Sequence, residues 1–373
     1  MSRSTNYRNP VLDLLPDYVG GRSIEEVMRE RGVSRVVKLA SNENPLGPSP
    51  EAIRALHEYA HGAHIYPDNY CVDLAAKVAE KSRVRPEQVI FSTGSDNVMQ
   101  LAIWAFGKPG TYALAPSPGF LGYEIFARSF GLEILPMPLP NGLWDLDRWR
   151  NEARREDVSL VILTTPNNPT GTAFTHDELV DFLEFVPKHV TVILDMAYVE
   201  FDPNSPPDTE MLLELHENVI CCRTFSKAYG LAGLRLGYGI AAEHHINDMK
   251  KLRTPYAANG ASLAAALAAM NDEVHLHRSI DLARDGVEWW TENLTKLGVE
   301  VLPSSANFVM ARVPEAPQIF DLMLDEGVIV RHLRAFRLED GLRITCGLTE
   351  ENEIALDAFK KALNTLRGVG QGL

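Results

Sequence analysis

Leu160-Val161-Ile162-Leu163-Thr164-Thr165-Pro166 is an unbroken apolar run that stops at two hydroxyl residues and a proline. No polar residue alternates within it, so it does not read as a strand with one face in water. A short continuous run of this kind belongs to a strand buried on both faces, as in a parallel sheet between layers of helices. Similar runs recur outward from it, at 89–91, 190–194 and 218–222. The first leads through Ser92-Thr93-Gly94-Ser95-Asp96 into an apolar helical pattern over 98–106. This alternation predicts an α/β fold with a large domain whose mostly parallel sheet is sandwiched by helices. Strand-like pieces at 307–311, 327–330 and 342–346, then a helix over 350–366, predict a smaller α/β domain. The expected division is an N-terminal arm over 1–35, a large domain over 36–262 and a small domain over 263–373. The break falls in one long helical stretch from Ala261 past Trp290.

Length and composition agree with two domains. A chain of 373 residues, 45% hydrophobic and 23% charged, exceeds the size at which one core stops growing. The net charge of −14, from 36 Lys+Arg against 50 Asp+Glu, and the lack of any long basic run argue against nucleic acid or an anionic membrane as partner. Cys71, Cys221, Cys222 and Cys346 form no C-x-x-C pair, so no metal site is expected, and reduced thiols in the cytoplasm are. The N-terminus, MSRSTNYRNP, lacks the apolar core of a signal peptide. The uncharged stretch 257–270 is too short to span a bilayer.

Asp96, Asn168, Asp195 and Lys227 each follow the C-terminal end of an expected strand, where open parallel sheets bind ligands. Alone, each has an ordinary reading. Thr93-Gly94-Ser95-Asp96 reads as a helix cap, Asn168-Pro169-Thr170-Gly171 as a turn, and a single lysine as a solvated charge. Together and in this order they match what pyridoxal phosphate requires: a lysine for a Schiff base, a charged partner at the pyridine nitrogen and a phosphate cradle. Asp195 would keep the ring nitrogen protonated. Asn168 and Tyr198 would donate hydrogen bonds to the ring's phenolic oxygen. Lys227 would form the Schiff base and, once released, move the proton at the substrate's α-carbon, its pKa lowered by burial and nearby cations. The helix start at Gly94-Ser95-Asp96, with Thr224, Ser226 and Arg235, would cradle the phosphate.

Nine stretches carry a family resemblance: LASNENPLGPSP (39–50), YPD (66–68), TGSD (93–96), TTPNNPTG (164–171), DMAYVEF (195–201), RTFSKAYGLAGLRLGY (223–238), ANFVM (306–310), GVIVR (327–331) and GLRITCG (341–347). In this order they resemble the fold-type I aminotransferases that depend on pyridoxal phosphate, and within them the histidinol-phosphate aminotransferase family. The resemblance implies the roles just given for Lys227, Asp195, Asn168 and Tyr198, and phosphate binding by Ser95, Asp96, Thr224, Ser226 and Arg235. It implies that Phe120 stacks on the cofactor ring. It implies that Tyr66 reaches the cofactor phosphate of a neighbouring subunit, hence a homodimer with shared sites. Arg343 would clamp the substrate's anionic group, Arg331 would meet a substrate phosphate, and Tyr18 of the arm would help cover the substrate. Asn42 joins these as a substrate-binding position.

Three positions depart from the family pattern. Met196 stands where Glu is common after the Asp of the DMAYVEF stretch, and Asn97 where Glu is common after TGSD. The segment before the stacking aromatic reads SPGFLGY (117–123). These departures bear on the substrate more than on the chemistry. Arg331, Arg334 and Arg337 place three arginines in seven residues of an acidic chain. The resemblance therefore implies histidinol phosphate as amino donor and 2-oxoglutarate as the 2-oxo acid acceptor. The same motifs also occur in aromatic amino-acid aminotransferases, threonine-phosphate decarboxylases and oxidases that use pyridoxal phosphate.

Overall fold

Alternate residues of the buried runs face opposite layers of helices, and this explains why apolar residues fill both faces of them. The computed structural model describes residues 9–17, 20–204 and 206–368. The first strand, β1 (Val37–Lys38), lies apart from the main sheet. The main sheet comprises β2 (Val89–Ser92), β3 (Tyr112–Ser117), β4 (Glu133–Pro138), β5 (Val158–Thr164), β6 (Thr191–Asp195), β7 (Val219–Thr224) and β8 (Gly237–Ala241). Their spatial order is β2-β8-β7-β6-β5-β3-β4. Every pairing is parallel except those of β8, which runs antiparallel to β2 and β7. Every residue of β5 and β6 is buried. Val161, Leu163, Val192, Leu194, Val219 and Cys221 enter one core. Leu160, Ile162, Ile193, Ile220 and Cys222 enter the other, beneath the helix Gly94–Phe106.

A second body follows the main sheet. Strands β9 (Glu300–Val301), β10 (Phe308–Arg312), β12 (Arg331–His332) and β13 (Gly341–Thr345) form an antiparallel sheet in the order β12-β13-β10-β9. Strand β11 (Val328–Ile329) pairs in parallel with β1. Its core gathers Trp290, Leu294, Val309, Ile344 and Phe359 with Val37 and Leu39.

Packing runs across the expected bounds at 36 and 262. Val37 and Leu39 pack in the second core because β1 finds its partner in β11. Ala265, Ala266, Ala269 and Met270 pack in the first core. The single helical stretch expected after Ala261 is two helices, Gly260–Asn271 and Glu273–Lys296. They divide at Asp272, whose side chain accepts the His275 N–H at 3.0 Å and caps the second helix. That helix carries the chain from one body to the other, with Leu276 against the first core and Trp290 in the second.

Candidate active site

Because β2, β5, β6 and β7 run in one direction, their C-terminal ends share one edge of the sheet, and antiparallel β8 begins there. One cleft at this edge is lined by Ser95, Asp96, Phe120, Asn168, Asp195, Tyr198, Thr224, Ser226, Lys227 and Arg235. The second body contributes Arg331 and Arg343 to the same cleft, and the segment before β2 contributes Asn42.

One end of the cleft is built to hold an anion. The first-turn N–H groups of a helix have no partner within it. Thr93 occupies the N-cap position of helix Gly94–Phe106 but does not cap it; its hydroxyl donates to the Ala257 carbonyl at 2.9 Å instead. Gly94 has φ +82°, and a Cβ there would lie 2.8 Å from Arg235 Nη2. A Cβ on Gly237 would lie 2.1 Å from the Ser95 backbone nitrogen. The two glycines thus let β8 and Arg235 close on the uncapped helix start. Arg235 Nη2 stands 3.3 Å from Asp96 Oδ2, and its Nη1 donates to Ser226 Oγ at 3.5 Å. Thr224 Oγ1 donates to Ser226 Oγ at 3.0 Å. Uncapped N–H groups, two hydroxyls and a guanidinium in one place suit a phosphate.

The centre of the cleft holds a carboxylate and an amine. Asp195 is buried, and both of its partners are neutral donors. The Tyr123 hydroxyl donates to Oδ2 at 2.6 Å, and the Ala197 N–H donates to Oδ1 at 3.1 Å. Burial pushes its carboxyl up to about 6; the Asp96 charge adds to the rise, and the Tyr123 bond opposes it. A protonated ring nitrogen would complete such a site. Lys227 Nζ donates to the Ser41 carbonyl at 3.0 Å and lies 5.7 Å from the centroid of the Tyr198 ring. Burial lowers the amine to about 8, helped by the Arg343 charge and opposed by Asp96 and Glu43.

Around this centre the side chains hold one another. The Tyr198 hydroxyl accepts from Asn42 Nδ2 at 2.9 Å, and burial pushes the phenol up to about 12. Asn42 has φ +55°, and its backbone N–H donates to Thr345 Oγ1 at 3.0 Å. Its amide is thus turned onto Tyr198, so it orients a cleft residue as well as lining the cleft. Arg343 donates through Nη1 to Asn168 Oδ1 at 2.5 Å and through Nη2 to the Ala40 carbonyl at 2.6 Å. Arg331 is its direct partner across the β12–β13 ladder. Two arginines opposite each other on one face repel unless an anion lies between them.

Phe120 stands edge-on to Tyr123, with ring centroids 5.5 Å apart. Gly122 permits this, because a Cβ there would fall 2.3 Å from the Phe120 ring. Of the three departures, SPGFLGY reaches the cleft through Phe120 and Tyr123. Met196 is 1% exposed and packs in the first core. The Asn97 side chain bonds Ser92 and Gln100. Tyr66 does not line the cleft; it is 79% exposed and stacks on Tyr256 at 4.6 Å. Tyr18 lies outside the described residues. Sequence reasoning missed Tyr123, whose signal is its place three residues past Phe120, whose carbonyl accepts its N–H, and the Ser41 carbonyl, which has no side-chain signal.

Among the described residues no helix is long and apolar enough to cross a membrane, and no three His, Cys, Asp or Glu gather as a metal site. Residues 34–359 match the model of the class I and II aminotransferase family. The chain is 40% identical to a histidinol-phosphate aminotransferase of a Geobacillus species, over 94% of this chain and 96% of that one. It is 39% identical to the enzyme of the same name from Akkermansia muciniphila, over 95% and 97%. The solved structure of histidinol-phosphate aminotransferase from Sinorhizobium meliloti, in complex with pyridoxal-5'-phosphate, superposes with a TM-score of 0.90 at 26% identity. That likeness covers 97% of this chain and 98% of the other. With an anion cradle, a buried carboxylate and a lysine at one sheet edge, and a family match across nearly its whole length, the chain belongs to the class I and II aminotransferases.

Proposed function

We propose that this protein is a pyridoxal-phosphate aminotransferase that takes the amino group of histidinol phosphate and passes it to 2-oxoglutarate. The observation that carries the donor assignment is the pair Arg331 and Arg343, set opposite each other on β12 and β13 and both lining the cleft of a chain with net charge −14. The relatives named above support it. Bound in the cleft, pyridoxal phosphate supplies an aldehyde for amines and a ring that accepts electrons from the substrate's α-carbon.

The chain's own residues do the rest. The helix start at Ser95 and Asp96, with Thr224, Ser226 and Arg235, binds the cofactor phosphate. Asp195 holds a proton on the pyridine nitrogen, Asn168 and Tyr198 donate to the phenolic oxygen, and Phe120 covers the ring. Lys227 Nζ takes the proton from the donor's α-carbon and returns one on the far side of the reaction. Its amine, lowered to about 8, is a stronger candidate base near neutrality than a solvated lysine. Arg343 and Arg331 hold the donor's anion, and a guanidinium fork takes carboxylate as well as phosphate, so the same site admits 2-oxoglutarate. Tyr66, exposed on one subunit, reaches the cofactor phosphate of its neighbour in a homodimer. The four buried, unpaired cysteines accord with a cytoplasmic setting.

The visible spectrum of the purified holoenzyme tests this. Histidinol phosphate should bleach the cofactor band and 2-oxoglutarate should restore it. A band that responds to phenylalanine but not to histidinol phosphate overturns the donor, and released carbon dioxide overturns amino transfer. Lys227→Ala should lose the band and at least ~10³-fold in rate, since the α-carbon proton then has no positioned base.

A further inference from the structure

Glu124 joins three segments that meet at the mouth of the cleft. It follows Tyr123 in the helix Gly122–Ser129, and its side chain is 19% exposed. Its Oε1 lies 3.1 Å from Nη2 of Arg128, one helical turn on. Its Oε2 lies 3.3 Å from Nη2 of Arg337, which belongs to the second body. Arg128 also donates through Nη1 to the Leu14 carbonyl at 3.4 Å. The carboxylate therefore links the helix that holds Asp195's partner Tyr123 directly to the segment 331–337 and, through Arg128, to Leu14 of the N-terminal segment.

That segment, strand β12 and the turn after it, carries two cleft residues. Phe336 and Arg331 both line the cleft, and the Arg331 guanidinium stands 5.9 Å from the Phe336 ring centroid. The loop ends in one short turn, Arg334–Phe336, and in Arg337 at φ +63°. A narrow gap runs between residues 115–124 and 335–337 and shares Phe120, Tyr123 and Phe336 with the cleft. Glu124 and Arg337 both line the gap and bridge it. An exposed ion pair stabilises little. Here the carboxylate is mostly buried and serves two guanidiniums, and although Arg337 itself is 65% exposed, the pair ties the turn that follows β12, and so follows Arg331, to the helix Gly122–Ser129.

We propose that Glu124 is a positioning residue: through Arg337 it sets where Phe336 and Arg331 stand against the phosphate of the amino donor. The proposal deepens the function given above and rests on it for the donor's identity.

The test uses the holoenzyme and the variants Glu124→Gln, Arg337→Gln and their double. The amides of Phe336 and Arg337 are held by the Leu333 and Arg334 carbonyls, so their hydrogen exchange reports on the loop. Exchange there should quicken about 3- to 10-fold in either single variant, and no further in the double. KM for histidinol phosphate should rise about 3- to 10-fold with kcat within about twofold, and KM for L-glutamate in the reverse direction, whose carboxylate meets the same arginines, should rise with it. A loss of folding alone would not produce that split. Unchanged exchange in both single variants overturns the proposal. So does faster exchange with an unaltered KM for histidinol phosphate. If the wild-type enzyme does not use histidinol phosphate, the donor assignment falls, and loop exchange together with KM for the donor it does use decides the role of Glu124.

Discussion

Asp195 is a carboxylate whose partners are a phenol and a backbone amide, and that sets a measurable signature. Its acid is held at about 6 against an ordinary 3.8. The folded state therefore keeps the proton more tightly than the unfolded state. Between about pH 4 and 6 stability falls as pH rises, because the cost of the buried charge is absent below the lower value and complete above the higher. Two units correspond to a cost on the order of 3 kcal/mol. In cofactor-free protein, Asp195→Asn should gain stability over wild type as pH rises from 5 to 7.5, read from urea midpoints. A constant gap across that range would show that the carboxyl does not titrate between those pH values. In the holoenzyme the gain should vanish, since the ring nitrogen's proton supplies the missing positive partner.

At the scale of elements, the end of the cleft built for an anion depends on how closely β8 approaches the helix Gly94–Phe106. Gly237 opens β8 with no side chain, and a methyl there would meet backbone rather than a flexible side chain. Gly237→Ala should push the helix start outward, destabilise the fold by about 1–3 kcal/mol and weaken pyridoxal-phosphate binding at least ~10-fold. Thermal unfolding and cofactor titration check the two effects. Tight cofactor binding in that variant would mean that the uncapped helix start does not hold the phosphate. The uncapped Thr93 makes the same point from the other side, since its hydroxyl is spent on the Ala257 carbonyl rather than on the helix.

At the scale of the whole molecule, Tyr66 is the residue that one chain leaves unexplained. It stands 79% exposed on Tyr256, away from the cleft. If a neighbour's site receives it, two defective chains should repair each other. If Tyr66→Ala, like Lys227→Ala, lowers activity by impairing one site, the two proteins should regain activity when unfolded together and refolded as mixed dimers. With random pairing about one quarter of the wild-type sites return, because half the dimers are mixed and each holds one intact site. No recovery beyond the sum of the separate proteins would rule out shared sites.

Much of this was legible in the chain. The apolar runs at 160–163, 192–194 and 219–222 required burial on both faces, and Asp195, Asn168 and Lys227 followed strand ends, so one edge of a parallel sheet had to gather them. Local chemistry sufficed, since side-chain alternation and strand direction are properties of short segments. Partnership across long separations was not legible. That β1 pairs with β11, that Arg331 faces Arg343, that Asn42 turns its amide to Tyr198, and that Tyr123 holds Asp195 all depend on how distant segments pack. Such pairings have no period or spacing in the sequence, because what selects them is the burial and hydrogen bonding available only once both bodies have closed on the cleft.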